Sequence, residues 1–271
     1  MRRVISRIPI GDKAFQVYDK GQKETPIVFL HGNSGCWQNW QPQIDHFQKD
    51  HRVIAFDHLG FGASSAMPEA YSMMQQAEDT RALLKHLGVD RYHLVGLSMG
   101  GAAAQILGQL DGSVLSLVLA GIFRYDRLHP TVIKRYEEIA ARAIEAELPG
   151  RDEMAGMLFG SRFIADSPAQ VDQILADMLK TDLAAASVLA TPRSIGEIGK
   201  LPVSGIKVPC LVVAGDEDFM APMAASQDLH DALPDSRWCL IKDAGHLMNI
   251  EQPDAFNAAL ERFYGEISTQ A

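Results

Sequence analysis

The sequence is poor in cysteine, in positive charge and in long apolar runs, and each shortage removes a class of protein. Three cysteines in 271 residues, Cys36, Cys210 and Cys239, are too few and too scattered for a disulfide framework or a zinc site. They read as reduced, small apolar residues. Lys and Arg number 25 against 34 Asp and Glu, a formal charge of −9, so no basic face is available for general nucleic-acid binding. A local basic pocket can still sit on such a body. The longest apolar stretch, residues 114–123 with Ser116 inside it, is far short of the ~20 residues that a membrane span needs. The basic start Met1-Arg2-Arg3 runs into Ser6, Arg7 and Pro9 rather than the apolar core of a signal peptide. Gly/Ser linkers, low-complexity segments and internal repeats are missing too. These shortages predict a cytoplasmic protein with neither nucleic-acid nor membrane partners; self-association as a homo-oligomer stays open.

What is present is the composition of a globular protein, 47% hydrophobic and 22% charged. A chain of this length can bury roughly three quarters of its unfolded surface without metal or disulfide staples. Near-continuous apolar runs at 27–30, 53–56, 93–97, 114–120 and 210–214 suit strands covered on both faces. Helical patterns lie between and after them, at 37–48, 72–87, 99–110, 221–233 and 253–264, with Gly88, Gly112 and Pro234 at or beyond their ends. This alternation predicts an α/β fold with a mostly parallel sheet. The first twenty residues, 4–10 and 14–19 around Gly11-Asp12, predict an antiparallel hairpin at the sheet edge.

One stretch breaks the rhythm. Between about 124 and 200 only helical patterns occur, at 130–148, 152–159, 168–179 and 192–198, and Ser167-Pro168 and Thr191-Pro192 have the cap-then-proline start of helices. The expected organisation is one core domain, residues 1–123 and 201–271, with residues 124–200 inserted as a helical lid. Extra helices packed on the sheet without a role in access are the plainer alternative.

The strongest chemical signal is Gly96-Leu97-Ser98-Met99-Gly100-Gly101, directly after a strand and before a helix. G-x-S-x-G in that context is a nucleophile elbow: the glycines permit a turn that side chains would block, and the turn lifts the Ser98 hydroxyl above the strand ends. The helix that follows directs its amide N–H groups and positive end to the same place. Phosphate-binding readings fail, since neither G-x-G-x-x-G nor Gly-Lys-Ser/Thr is present.

A serine needs a base, and nine histidines compete. His246, in Asp243-Ala244-Gly245-His246-Leu247, follows a strand expected at 238–242 and so lies at the carboxyl edge, where α/β proteins build sites. His31 ends another strand and is the second choice. The acid that orients the imidazole is sought in Gly215-Asp216-Glu217-Asp218-Phe219-Met220, after the strand at 210–214. Asp218 is preferred, with Asp216 as a turn former and Glu217 exposed to solvent. The oxyanion needs two fixed donors. One is the Met99 N–H, and the other comes from His31-Gly32-Asn33-Ser34-Gly35, with Asn33 first and Ser34 second. Ser34, Arg124, Met154 and Phe219 are candidate substrate contacts. Arg124, or Arg127, would act as a carboxylate clamp, against the alternative of solvated hinge charges. Met154, Met157, Leu158, Phe159 and Met178 read either as helix packing or as an adaptable apolar acyl pocket. Trp37 and Trp40 read as core.

Together with Asp57-His58-Leu59-Gly60-Phe61-Gly62-Ala63-Ser64, these motifs make the chain resemble, over nearly its whole length, the lidded α/β-hydrolases: small carboxylesterases, enol-lactonases and carbon–carbon bond hydrolases. The order Ser98, Asp218, His246 is that family's order. The resemblance implies cleavage of a small-molecule ester or lactone through an acyl-enzyme on Ser98, without metal or cofactor. Family members that displace halide or open epoxides carry a carboxylate where Ser98 stands. Carbon–carbon bond hydrolases, lyases, cofactor-free oxygenases and ligand receptors share the scaffold and keep alternative readings alive.

Overall fold

The computed structural model describes residues 4–21, 25–69, 71–134, 150–181, 188 and 191–269. Its sheet has eight strands in the order β1-β2-β4-β3-β5-β6-β7-β8. These are β1 (Ile5–Ile10), β2 (Lys13–Lys20), β3 (Ile27–Leu30), β4 (Val53–Phe56), β5 (Tyr92–Leu97), β6 (Val114–Ala120), β7 (Cys210–Gly215) and β8 (Ser236–Ile241). The expected hairpin is there: β1 and β2 pair antiparallel around Gly11, and β2 joins the rest antiparallel to β4. All later pairings are parallel.

The apolar runs form strands because both faces are covered. Along β3, Val28 and Leu30 enter one core while Ile27 and Phe29 enter the other; β4 and β7 divide their residues in the same way. The first core is closed by α2 (Met73–His86), α3 (Met99–Leu110) and α8 (Met223–Ala232). The second is closed by α1 (Gln41–Phe47), α9 (Met248–Glu251) and α10 (Pro253–Ser268). Trp40 is fully buried in the second core and tilted against Phe29.

The helix expected over 37–48 is broken. A short 3-10 turn, Trp37–Trp40, precedes α1, because Pro42 has no N–H to continue the ladder from Gln38. Between β6 and β7 lie α4 (Arg151–Leu158), α5 (Ser161–Asp166), α6 (Pro168–Met178) and α7 (Pro192–Ile198). The expected helices at 152–159, 168–179 and 192–198 are thus present, α5 is additional, and most of the one at 130–148 falls outside the described residues. This insertion touches both layers: Ala155, Phe159, Val171 and Leu175 belong to the second core, and Ile198 belongs to the first. Among the described residues no helix is long and apolar enough to cross a membrane, and all three cysteines are free thiols.

The turn after β4 is stitched by one carboxylate. Buried Asp57 accepts the Trp37 N–H at 2.8 Å and the Ala63 N–H at 2.9 Å, and Gly62, at φ 51°, packs where any Cβ would strike that carboxylate. Asp57→Ala should therefore leave two donors unmatched and cost about 2–4 kcal/mol. Urea denaturation should show the midpoint falling at unchanged slope; an unmoved midpoint would refute the role.

Candidate active site

Ser98 joins β5 to α3 at φ 52° and ψ −116°, a backbone conformation that L-residues with side chains seldom adopt. Its position is enforced from both sides. A Cβ on Gly96 would overlap the Gly100 carbonyl, and one on Gly100 would overlap the Leu30 carbonyl. The Ser98 N–H donates to the Ala120 carbonyl at 2.9 Å, and its own carbonyl accepts the Ala102 N–H at 3.0 Å. The nucleophile elbow is thus wedged between β3 and β6.

His246 is buried on the loop after β8, and its Nδ1 lies 3.0 Å from each carboxylate oxygen of Asp218. A carboxylate only accepts, so Nδ1 carries the hydrogen and the lone pair of the neutral ring sits on Nε2. Asp218 is anchored in turn by the Ala221 N–H, 2.8 Å from Oδ1. Burial alone would lower the imidazole pKa, but the charge and hydrogen bonds of Asp218, with a further contribution from Glu251, raise it above its ordinary value. Gly121, at φ 54° just beyond β6, is part of this arrangement: a Cβ there would lie 3.2 Å from the imidazole and 3.3 Å from Asp218 Oδ2. Among the described residues no hydrogen bond joins the Ser98 hydroxyl to the imidazole, a contact that tightens in many enzymes only with substrate bound. The two residues do line one cavity.

The competing acids and histidines are engaged elsewhere. Asp216 braces the loop through the Ala244 N–H at 3.4 Å. Glu217 is exposed, as expected, and accepts the Ser161 N–H at 2.9 Å. His31 is fully buried; its Nε2 accepts the His58 N–H at 3.0 Å and its Nδ1 donates to the Gly32 carbonyl at 2.7 Å. With both nitrogens used, and burial lowering its pKa, His31 is a neutral strut of the loop rather than a base.

That loop and the start of α3 face the nucleophile together. Met99 is the first residue of α3, where no preceding turn supplies its N–H with an intrahelical acceptor. Gly32, Asn33 and Ser34 line the same cavity as Ser98. The Ser34 N–H donates to Asn33 Oδ1 at 3.0 Å.

The cavity measures about 200 Å³, and its other walls are largely sulfur and hydrocarbon: Met154, Met157, Leu158 and Met178 from the insertion, Met220 and Leu247 from the core. Met154 is therefore where the sequence suggested, but Phe219 is not among the lining residues and Met220 takes its place. Arg124 is absent from the lining as well. It makes a two-pronged pair with Asp126 at 2.8 and 2.6 Å, and Arg127 reaches Asp228 at 2.6 Å. Among the described residues no Lys or Arg lines the cavity, and no cluster of three or more His, Cys, Asp or Glu is arranged to hold a metal. Two functional positions escaped the sequence reading. Gly121 was legible as a glycine closing a strand, and Glu251 as an acid among the apolar residues after His246.

A family model described as the alpha/beta hydrolase fold matches residues 25–253. The chain is 30% identical over 259 residues to a 3-oxoadipate enol-lactonase of Acinetobacter baylyi, covering 92% of each protein. It is 26% identical over 275 residues to a proline iminopeptidase of Lactobacillus helveticus, again covering 92% of each. Among solved structures, an N-acyl homoserine lactone degrading enzyme superposes with a TM-score of 0.80 at 27% identity, over 95% of this chain and all of that one. With the family model spanning most of its length, the chain belongs to the α/β-hydrolase fold family, whose members here are hydrolases.

Proposed function

We propose that the protein is a serine hydrolase of small, uncharged carboxylic esters or lactones, working through an acyl-enzyme on Ser98. The observation that carries this reading is that Ser98 and His246 share one cavity while Asp218 holds the far side of the imidazole. In the first half-reaction Ser98 Oγ attacks the carbonyl carbon and its proton passes to His246 Nε2. The carbonyl oxygen becomes an oxyanion facing the Met99 and Asn33 amides, each such donor being worth about 3 kcal/mol in the transition state. Collapse breaks the ester C–O bond, and the leaving alkoxide takes the proton from Nε2. Water then attacks the acyl-enzyme, gives its proton to the same nitrogen, and releases the acid as Oγ is reprotonated.

Three features narrow the substrate. The small volume suits short acyl groups, and the methionine side chains adapt to irregular ones. The absence of Lys and Arg from the wall among the described residues disfavours a carboxylate-bearing acyl group, which would be buried unpaired. Lactone cleavage is supported by the lactone-degrading neighbour and the enol-lactonase relative. Residues 124–200 are proposed to act as the lid, since the described part supplies four of the six apolar side chains of the wall.

p-Nitrophenyl acetate and butyrate should be turned over faster than the octanoate or a hemisuccinate ester, and Ser98→Ala should abolish turnover. Activity surviving in that variant, or none toward any ester or lactone, would sink the proposal. Asp218→Asn should lower kcat by about 10⁴-fold; a loss under tenfold would move the orienting acid to Asp216. Because the imidazole must be neutral to accept a proton and its pKa is raised, kcat/KM should fall as pH drops, with an acid limb above the ordinary 6.5. A limb below 6.5 would contradict the Asp218 contact.

A further inference from the structure

The turn between α4 and α5 is fastened to both loops that carry the acid and the base. The Leu158 carbonyl accepts the N–H of His246 at 2.9 Å and of Leu247 at 3.2 Å. In the other direction, the Glu251 carboxylate accepts the Gly160 N–H at 2.6 Å and the Gly245 N–H at 3.1 Å to each oxygen. Glu251 is only 7% exposed at the end of α9. The fit around it is close: a Cβ on Gly160 would sit 3.2 Å from its Oε2, and one on Gly245 would strike the Phe159–Gly160 backbone. Burying a carboxylate is costly unless its oxygens are matched, and here they are matched by amides of the insertion and of the base's own loop.

We propose that Glu251 is a positioning residue for the base: it splices the His246 loop to the insertion and supplies a second negative charge beside the imidazole. The proposal rests on the assignment of His246 as the base. The charges of Asp218, on the loop after β7, and of His246 act on Glu251, while the insertion offers the Gly160 N–H. Burial, with the Asp218 charge adding to it, pushes Glu251 up to about 7 against its backbone hydrogen bonds and the His246 charge. The ionised group accepts from both amides. Once protonated, one oxygen becomes a donor set against an N–H, so the splice loosens as pH falls through that range. Ionised Glu251 also raises the imidazole pKa, so removing its charge lowers it.

The two roles separate by substitution in the full-length protein. Glu251→Gln keeps the reach and loses the charge; Glu251→Asp keeps the charge and loses the reach. NMR titration of the His246 ring should move to lower pH by about half a unit or more in Glu251→Gln and stay near wild type in Glu251→Asp. Amide exchange at Gly160 and Gly245 should accelerate in both, and in the wild type their protection should decline between pH 8 and 6. With an ester substrate, kcat should fall about tenfold at little-changed KM. An unmoved His246 titration in Glu251→Gln overturns the proposal. Should that variant not fold, wild-type-like exchange in Glu251→Asp overturns it instead. Failure of the wild type to hydrolyse any ester, with the titration shift present, would sink the hydrolase reading and leave the positioning role standing.

Discussion

Contact between α3 and the end of β3 is the constraint on which the site depends. Gly100 approaches the Leu30 carbonyl so closely that no side chain fits between them, and the first turn of the helix can then lie over the neighbouring strand. That approach places Ser98 opposite Gly32, where a Cβ would come within 3.3 Å of the Ser98 Cβ. Ser98 and the Gly32–Ser34 loop are thus brought together by packing, before any hydrogen bond is formed between them. The cost is the strained backbone at Ser98, which the two anchoring backbone bonds to Ala120 and Ala102 hold in place.

The other half of the site is assembled by charge rather than by close packing. Asp218 and His246 come from the loops at the carboxyl edge of β7 and β8 and Glu251 from the end of α9, and each is mostly buried. Three ionisable groups in so small a space would be unstable if each stood alone. Their carboxylates are instead matched by the Ala221, Gly160 and Gly245 amides and by the imidazole. The insertion is therefore joined to the His246 loop through its backbone: the turn that supplies Leu158 to the cavity wall also receives the amides of His246 and Leu247.

How much of this was legible in the sequence follows from the range over which each feature is encoded. The elbow, the parallel core and the hairpin rest on local patterns, Gly-x-Ser-x-Gly and apolar runs, and these survive folding because both sheet faces are covered. The placement of Asp218 and His246 at one edge was legible because a motif ending a strand has a known edge to occupy, and the structure brings the two into contact. The break before α1 was also encoded locally, in Pro42, though its effect on the helix start was missed. Arg124 and Phe219 were misjudged for a different reason. Their neighbours in sequence reach the site region, but the direction of a loop side chain is decided by a partner such as Asp126, which periodicity does not reveal.

Glu251 and Gly121 stand out in the sequence only as an acid among apolar residues and a glycine closing a strand, because their contacts exist only between segments distant in sequence. Glu251 reaches across 91 positions to Gly160, and Gly121 matters because His246 and Asp218 fold against it. Neither follows from composition or periodicity. The same logic explains why the chemistry of the substrate was harder to read than the fold. The wall of the cavity is contributed by the oxyanion loop, the elbow, the insertion and the loops after β7 and β8, so its polarity is a sum over separate segments. Among the described residues the wall holds no Lys or Arg although Arg124 and Arg127 stand nearby in the sequence, because each pairs with an aspartate outside the cavity. The side-chain chemistry of the cavity wall is thus a property of the assembled fold rather than of any one motif.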